Sequence, residues 1–301
     1  MMKIFVLICI VWGSIESQNL ITKSNFNFGH QLGNIYSRND SAYCAEAGSW
    51  TFSTGFYCYY TPDMPLVTNP YWIERTMFLV PISFEVFPTN KISLQIDLTD
   101  LFIEFPYKDI HNMGGKSPRF MTKMVLLTEK KYFPATALTV GVKFSSAKPY
   151  NIWDSTHNYD SSNGLAGAGT GETDYLILFT MSKRILSKTT LHARIGLAPL
   201  GSPVEYTRGS GQADEIPYGI TAEQKIGDKT RLSLGIMGMK NGLESTKLAH
   251  YSVLRINSDY SLTPKTEIGI NLEKGLTKES DSYVAGFLIK WHFRKSDKRS
   301  L

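Results

Sequence analysis

From Tyr283 to Phe293 every second residue is apolar or aromatic: Tyr283, Ala285, Phe287, Ile289, Trp291 and Phe293. The other face carries Val284, Gly286, Leu288, Lys290 and His292. A period of two is the signature of a strand. About ten residues at ~3.3 Å each, tilted, match the length that crosses an outer-membrane hydrocarbon layer. A half-buried strand of a soluble sandwich would show the same alternation, so the rest of the chain has to separate the two.

The composition favours the membrane. Only 42% of the 301 residues are hydrophobic, and after the first twenty residues no apolar run reaches the ~18 that a spanning helix needs. A barrel requires lipid-compatible side chains at every second strand position only. The 32 basic and 27 acidic residues are interspersed and sum to a net charge of +5, which gives no basic patch of the kind that binds nucleic acid. Residues 1–17 read as a secretory signal peptide, with Lys3 as its charged start, Ile4 to Trp12 as its apolar core and Ser17 as a small residue at the cleavage site. Cys9 falls inside that core, leaving Cys44 and Cys58 in the exported chain. If the first strand runs straight, those two lie too far apart to bridge.

Residues 18–47 are rich in Asn and Ser without a clear period and are expected to form a periplasmic or plugging segment. Alternation begins at Ser49 to Tyr60 and follows a Pro-containing connection, Thr61 to Pro70, into Phe78, Val80, Ile82, Phe84 and Val86. Pro81 sits on the other face of that run and cannot donate to a ladder. Further strands are predicted at Ile92 to Leu98, Phe120 to Leu127, Thr136 to Phe144, Tyr175 to Met181, Leu191 to Leu197, Tyr218 to Ile226, Arg231 to Met239, Tyr251 to Leu262 and Thr266 to Leu272. Long polar loops separate some of them, from Ser145 to Glu172 and from Pro199 to Glu215. A short turn unit recurs, as in Asn90-Lys91-Ile92, Ser187-Lys188-Thr189, Asp228-Lys229-Thr230 and Pro264-Lys265-Thr266. Short turns alternating with longer loops are the rhythm of an up-and-down barrel. Both ends of such a barrel lie on one side, which demands an even number of strands. The expected fold is therefore all-β: a transmembrane antiparallel up-and-down barrel of about twelve strands over residues 48–293, followed by a basic tail, 294–301.

Two resemblances add to this. The strand ending in Trp291 and Phe293 resembles the C-terminal assembly signal of bacterial outer-membrane barrels, although here the chain continues through Arg294 to Leu301. The resemblance implies recognition by the barrel-assembly machinery. Pro134 to Lys143, Gly169-Thr170-Gly171-Glu172-Thr173-Asp174, Met181-Ser182-Lys183 and Leu191-His192-Ala193 carry the second likeness. Over residues 134–200 the chain is similar to the meta-pathway phenol-degradation or transporter-like outer-membrane barrels of bacteria. That family implies an outer-membrane location and passage of small solutes, hydrophobic ones among them, and supplies no functional residues to carry over.

The sharpest enzymatic pattern is His250-Tyr251-Ser252. His250 and Ser252 share one face of a strand, at the lipid-facing outer rim, and the pair resembles the His-x-Ser of outer-membrane lipid hydrolases. Those enzymes tend to place Asn after the Ser, where Val253 stands here, and only Glu244 is a nearby acid. His157, Asp160 and Ser161 fall in a Gly-rich loop unsuited to a preorganised triad. No metal-ligand spacing occurs and no cofactor is expected. The inward face is the informative one. Parity assigns to it Lys143, His192, Arg194, Glu223, Lys225, Arg231, Arg255, Glu267 and Lys290 as the expected pore-lining set. Both signs are present, so these side chains are expected to pair across the lumen and constrict it. The expectation is a non-enzymatic passive channel embedded in outer-membrane lipid. The alternatives left open are a lipid hydrolase using His250 and Ser252, or a structural or adhesive barrel without flux.

Overall fold

The computed structural model describes residues 41–65, 72–98, 101–107, 110–115, 118–144, 173–199, 215–241, 250–277 and 283–294. The expected signal peptide, residues 18–40, most of the basic tail and the bulk of the long loops, His157 to Ser161 among them, lie outside the described residues. Among the described residues fifteen strand segments follow in chain order: β1 (Ser49–Pro65), β2 (Trp72–Val80), β3 (Ile82–Thr89), β4 (Ile92–Asp97), β5 (Leu101–Tyr107), β6 (Ile110–Gly115), β7 (Arg119–Leu127), β8 (Ala135–Lys143), β9 (Asp174–Leu186), β10 (Thr189–Leu197), β11 (Glu215–Ile226), β12 (Thr230–Asn241), β13 (His250–Thr263), β14 (Thr266–Gly275) and β15 (Tyr283–Phe293).

Three wall strands are interrupted, and this reduces fifteen segments to twelve strands. β1 pairs with β3 through Thr54↔Ile82 and with β2 through Tyr57↔Leu79, in one unbroken register. β2 and β3 are thus a single wall strand divided at Pro81, which has no N–H for the ladder. β4 with β5 and β6 with β7 continue one another in the same way, because β4 pairs with β3 and β7 while β5 pairs with β2 and β6. Between Ser83↔Asp97 and Val80↔Leu101 the second strand gains one residue. Such a bulge flips side-chain parity: the apolar series Ile92, Leu94, Ile96 resumes out of phase as Leu101, Ile103, Phe105, so no continuous alternation runs from β4 into β5. β1 also runs five residues past Tyr60, into the stretch expected to be a connection.

The sheet closes on itself. β15 pairs with β1 over eleven positions, from Trp50↔Phe293 to Tyr60↔Tyr283, so no edge strand remains at the seam. The turns at residues 90–91, 187–188, 227–229 and 264–265 lie on the rim where β1 begins and β15 ends. In two of them a Thr two residues upstream accepts the turn lysine's N–H, Lys91 N to Thr89 Oγ1 and Lys265 N to Thr263 Oγ1, each at 3.1 Å. A third uses Gly227 at φ 62, a conformation that glycine adopts without a Cβ penalty. The strands flanking residues 145–172, 200–214 and 242–249 end at the opposite rim.

Most outward positions are apolar and exposed, with Val140 at 49% and Ile270 at 46%. An apolar belt of that extent is a lipid-facing surface. At the short-turn rim of the seam, Trp50 stacks on Phe293 at 3.7 Å and Phe52 on Trp291 at 5.6 Å, placing aromatic rings where a membrane interface lies.

Candidate functional site: the barrel lumen

Cross-strand partners share a face, so the register gives the inner surface directly. Lys143, His192, Arg194, Glu223, Lys225, Arg231, Arg255, Glu267 and Lys290 all project from it. Among the described residues, several of the charges pair along the wall. Lys143 of β8 pairs with Asp174 of the adjacent β9, both fully buried. Arg255 of β13 meets Glu273 of β14 at 2.8 Å, and Arg119 of β7 lies 3.7 Å from Asp97 of β4. Nearer the short-turn rim Glu267 joins Arg231 and Lys290, while Lys290 also reaches Asp259 at 3.2 Å. The reason is geometric: a neighbouring strand is about 5 Å away, closer than any opposite wall.

Neutral residues extend the same pattern. Asn271 donates to Asn257 at 2.8 Å and Asn257 to Ser233 at 3.2 Å, which links β14, β13 and β12. Gln95 donates to Asp97 at 2.8 Å and to Ser83 at 3.3 Å. Arg194 directs an N–H at the Met237 sulfur, 3.0 Å away. Glu223 is half-buried and Lys225 is exposed towards the short-turn rim. None of the neutral residues was singled out from the sequence, although the parity that picked out the charges also picks out these.

The least anticipated feature is the segment before β1. Ala42 N–H donates to Ser182 Oγ at 2.8 Å, and Lys123 Nζ donates to the Tyr43 carbonyl at 3.0 Å. The Tyr43 hydroxyl donates to Glu129, and Ala42 packs on Ala135 and Ala137. Ser182, Lys123, Ala135 and Ala137 are inner-face residues of β9, β7 and β8. β1 lies five places from β9 in the sheet, beyond β3, β4, β7 and β8. Residues 41–47 therefore run inside the barrel from one part of the wall to another before Gly48, at φ 79, turns the chain into β1. Ser182 accepts from Ala42 and so has its own proton free for His192 Nδ1, 2.8 Å away. Burial raises the Tyr43 phenol above its ordinary value and the bond to Glu129 adds to this. Burial also pushes the Glu129 carboxyl up, but the Tyr43 hydroxyl, the Arg184 N–H and Lys183 outweigh it and hold the carboxyl below the usual carboxylate value. No disulfide joins Cys44, in this segment, to Cys58, in β1.

Of the hydrolase pattern, Glu244 and the His250 side chain lie outside the described residues. Ser252 pairs with Gly238 on the outward face yet is buried, and His250 is placed by its backbone opposite Lys240. Glu273 points inward, engaged with Arg255.

A closed antiparallel barrel with an apolar exterior and a charged interior has the architecture of a bacterial outer-membrane barrel protein. Solved structures of that class share it. An outer membrane channel from Pseudomonas putida F1 superposes with a TM-score of 0.63 at 12% identity, over 84% of this chain and 98% of that one. The NanC porin superposes with a TM-score of 0.51 at 7% identity, over 81% of this chain and 99% of its own. No family model and no curated protein matches the chain.

Proposed function

We propose that the protein is a passive outer-membrane channel for small solutes, narrowed at its short-turn rim by residues 41–47. The observation that carries this reading is the inner face: a closed wall lined by Lys143, His192, Arg194, Glu223, Lys225, Arg231, Arg255, Glu267 and Lys290, of both signs. Their mixed sign favours neither anions nor cations. The likeness of residues 134–200 to phenol-degradation or transporter-like barrels supports a solute range that includes small hydrophobic molecules. The same reading assigns residues 1–17 to a signal peptide, and has the strand Tyr283 to Phe293 engage the assembly machinery and outer-membrane lipid surround the wall.

A lipid hydrolase built on His250 and Ser252 has less support, because Glu273 is committed to Arg255 on the other face of the sheet and a serine nucleophile needs an oriented base. Swelling of solute-loaded liposomes tests the channel against a barrel without flux. Uptake of small solutes is expected from the intact chain, and faster uptake from a chain lacking residues 18–47. Absence of swelling from both would leave the adhesive reading, and acyl release from lipid A or phospholipid that vanishes in Ser252→Ala would replace the channel by the enzyme.

A further inference from the structure

The β7–β8 connection, residues 128–134, is the longest described on its rim, and it does not point into the periplasm as a simple turn would. Lys183 and Ser182 are consecutive on β9. Ser182 pairs with the inward His192, and Lys183 pairs with Leu191 on the outer face. From there Lys183 Nζ donates to the carbonyls of Lys130 and Lys131, at 2.6 and 3.0 Å. Glu129 completes the attachment by accepting the Arg184 N–H at 2.9 Å and approaching Lys183 at 3.3 Å. Lys130 N–H also closes onto the Phe133 carbonyl at 3.0 Å. Glu129 also accepts the Tyr43 hydroxyl from the lumen side, so the connection lies across the end of β8 onto β9, with its 130–131 carbonyls drawn towards the outward Lys183.

That position leaves two aromatic rings where lipid begins. Tyr132 is 79% and Phe133 64% exposed, high values for large apolar side chains held by four hydrogen bonds at the base of their loop. Beside them the wall ends in exposed Leu126, Leu127, Ile185 and Leu186, so the rings continue the lipid-facing surface. On the seam side of the barrel Trp50, Trp291 and Phe293 supply interfacial aromatics from the strands themselves. Over β7 to β10 the strand ends are aliphatic, and Tyr132 and Phe133 come from a loop instead. Two cations accompany them: Lys130 and Lys131 are exposed, with Lys131 Nζ 5.4 Å from the Tyr132 ring centroid. Aromatic rings flanked by lysines fit the boundary between acyl chains and phosphate headgroups.

We infer that residues 128–134 form an interfacial anchor that seats on inner-leaflet phospholipid, with Tyr132 and Phe133 at the acyl boundary and Lys130 and Lys131 on anionic headgroup phosphates. The inference stands whether or not the lumen conducts. The test places p-benzoylphenylalanine at position 133 of the full chain, reconstituted in vesicles of phosphatidylethanolamine and phosphatidylglycerol, with the same residue at exposed position 229 of the β11–β12 turn as the comparison. Irradiation and mass spectrometry should give a phospholipid adduct at 133 several-fold above that at 229, with phosphatidylglycerol enriched over its share of the vesicle. The enrichment should disappear in the Lys130→Gln, Lys131→Gln double variant while the adduct itself persists. Equal yields at 133 and 229 would overturn the anchor. An enrichment unchanged by the double variant would overturn the headgroup assignment, and protein adducts at 133 in whole cells in place of lipid would assign the surface to a periplasmic partner.

Discussion

Ile270 and Asn271 are neighbours in the chain and face different surroundings. Ile270 stands on the outer wall at mid-strand, while Asn271 is buried on the inner face and donates to Asn257. Ile270→Arg should therefore cost about 2 to 4 kcal/mol in bilayers, and Asn271→Ser a smaller amount, as read by reversible denaturation from vesicles. Equal losses would mean the faces are exchanged. Gly286 offers a second test, because a side chain there would collide with the Tyr57 ring lying over it on the adjacent strand. Gly286→Val should destabilise by about 1 to 3 kcal/mol, with Tyr57→Ala partly restoring the loss. This much of the molecule was legible residue by residue, since a strand's period of two assigns every side chain to a face. What alternation does not carry is the identity of partners. Lys290 reads as inward from the sequence, but its pairing with both Glu267 and Asp259 depends on the register of three strands.

At the scale of elements the sequence failed where periodicity failed. β5 and β6 lie beyond a one-residue bulge that reverses parity, and Pro81 divides a wall strand that pairing with β1 nevertheless keeps in register. Residues 41–47 are held by backbone groups and by Tyr43, which leaves no repeating pattern to read. Their attachment to the wall has a pH dependence of definite sign. The Glu129 carboxyl is held below its ordinary value, so its contribution is complete above the usual carboxylate range and is lost as pH falls through the depressed value. Conductance should stay level from neutral pH down to that range and rise below it. Tyr43→Phe, which removes the hydroxyl donor, should give the higher conductance already at neutral pH. A flat profile in both proteins would detach this segment from the control of flux.

The whole molecule is defined by closure and by two unlike rims. β15 pairs with β1, the short turns and both barrel termini share one rim, and the strands flanking the long loops end at the other. In intact cells a membrane-impermeant thiol reagent should label Gly242→Cys and leave Asp228→Cys unlabelled. Labelling of both would break the alternation on which the strand count rests. The even number of strands could be anticipated from alternation and loop rhythm because both ends must return to one side, whereas the path of residues 41–47 through the lumen depends on contacts with β7, β8 and β9 that only the closed barrel creates. Single-channel recording in planar bilayers tests the central claim most directly. Discrete steps with a linear current–voltage relation and weak preference for either ion sign are predicted, larger in a chain lacking residues 18–47. A membrane that stays silent with both the intact and the shortened chain would contradict the account.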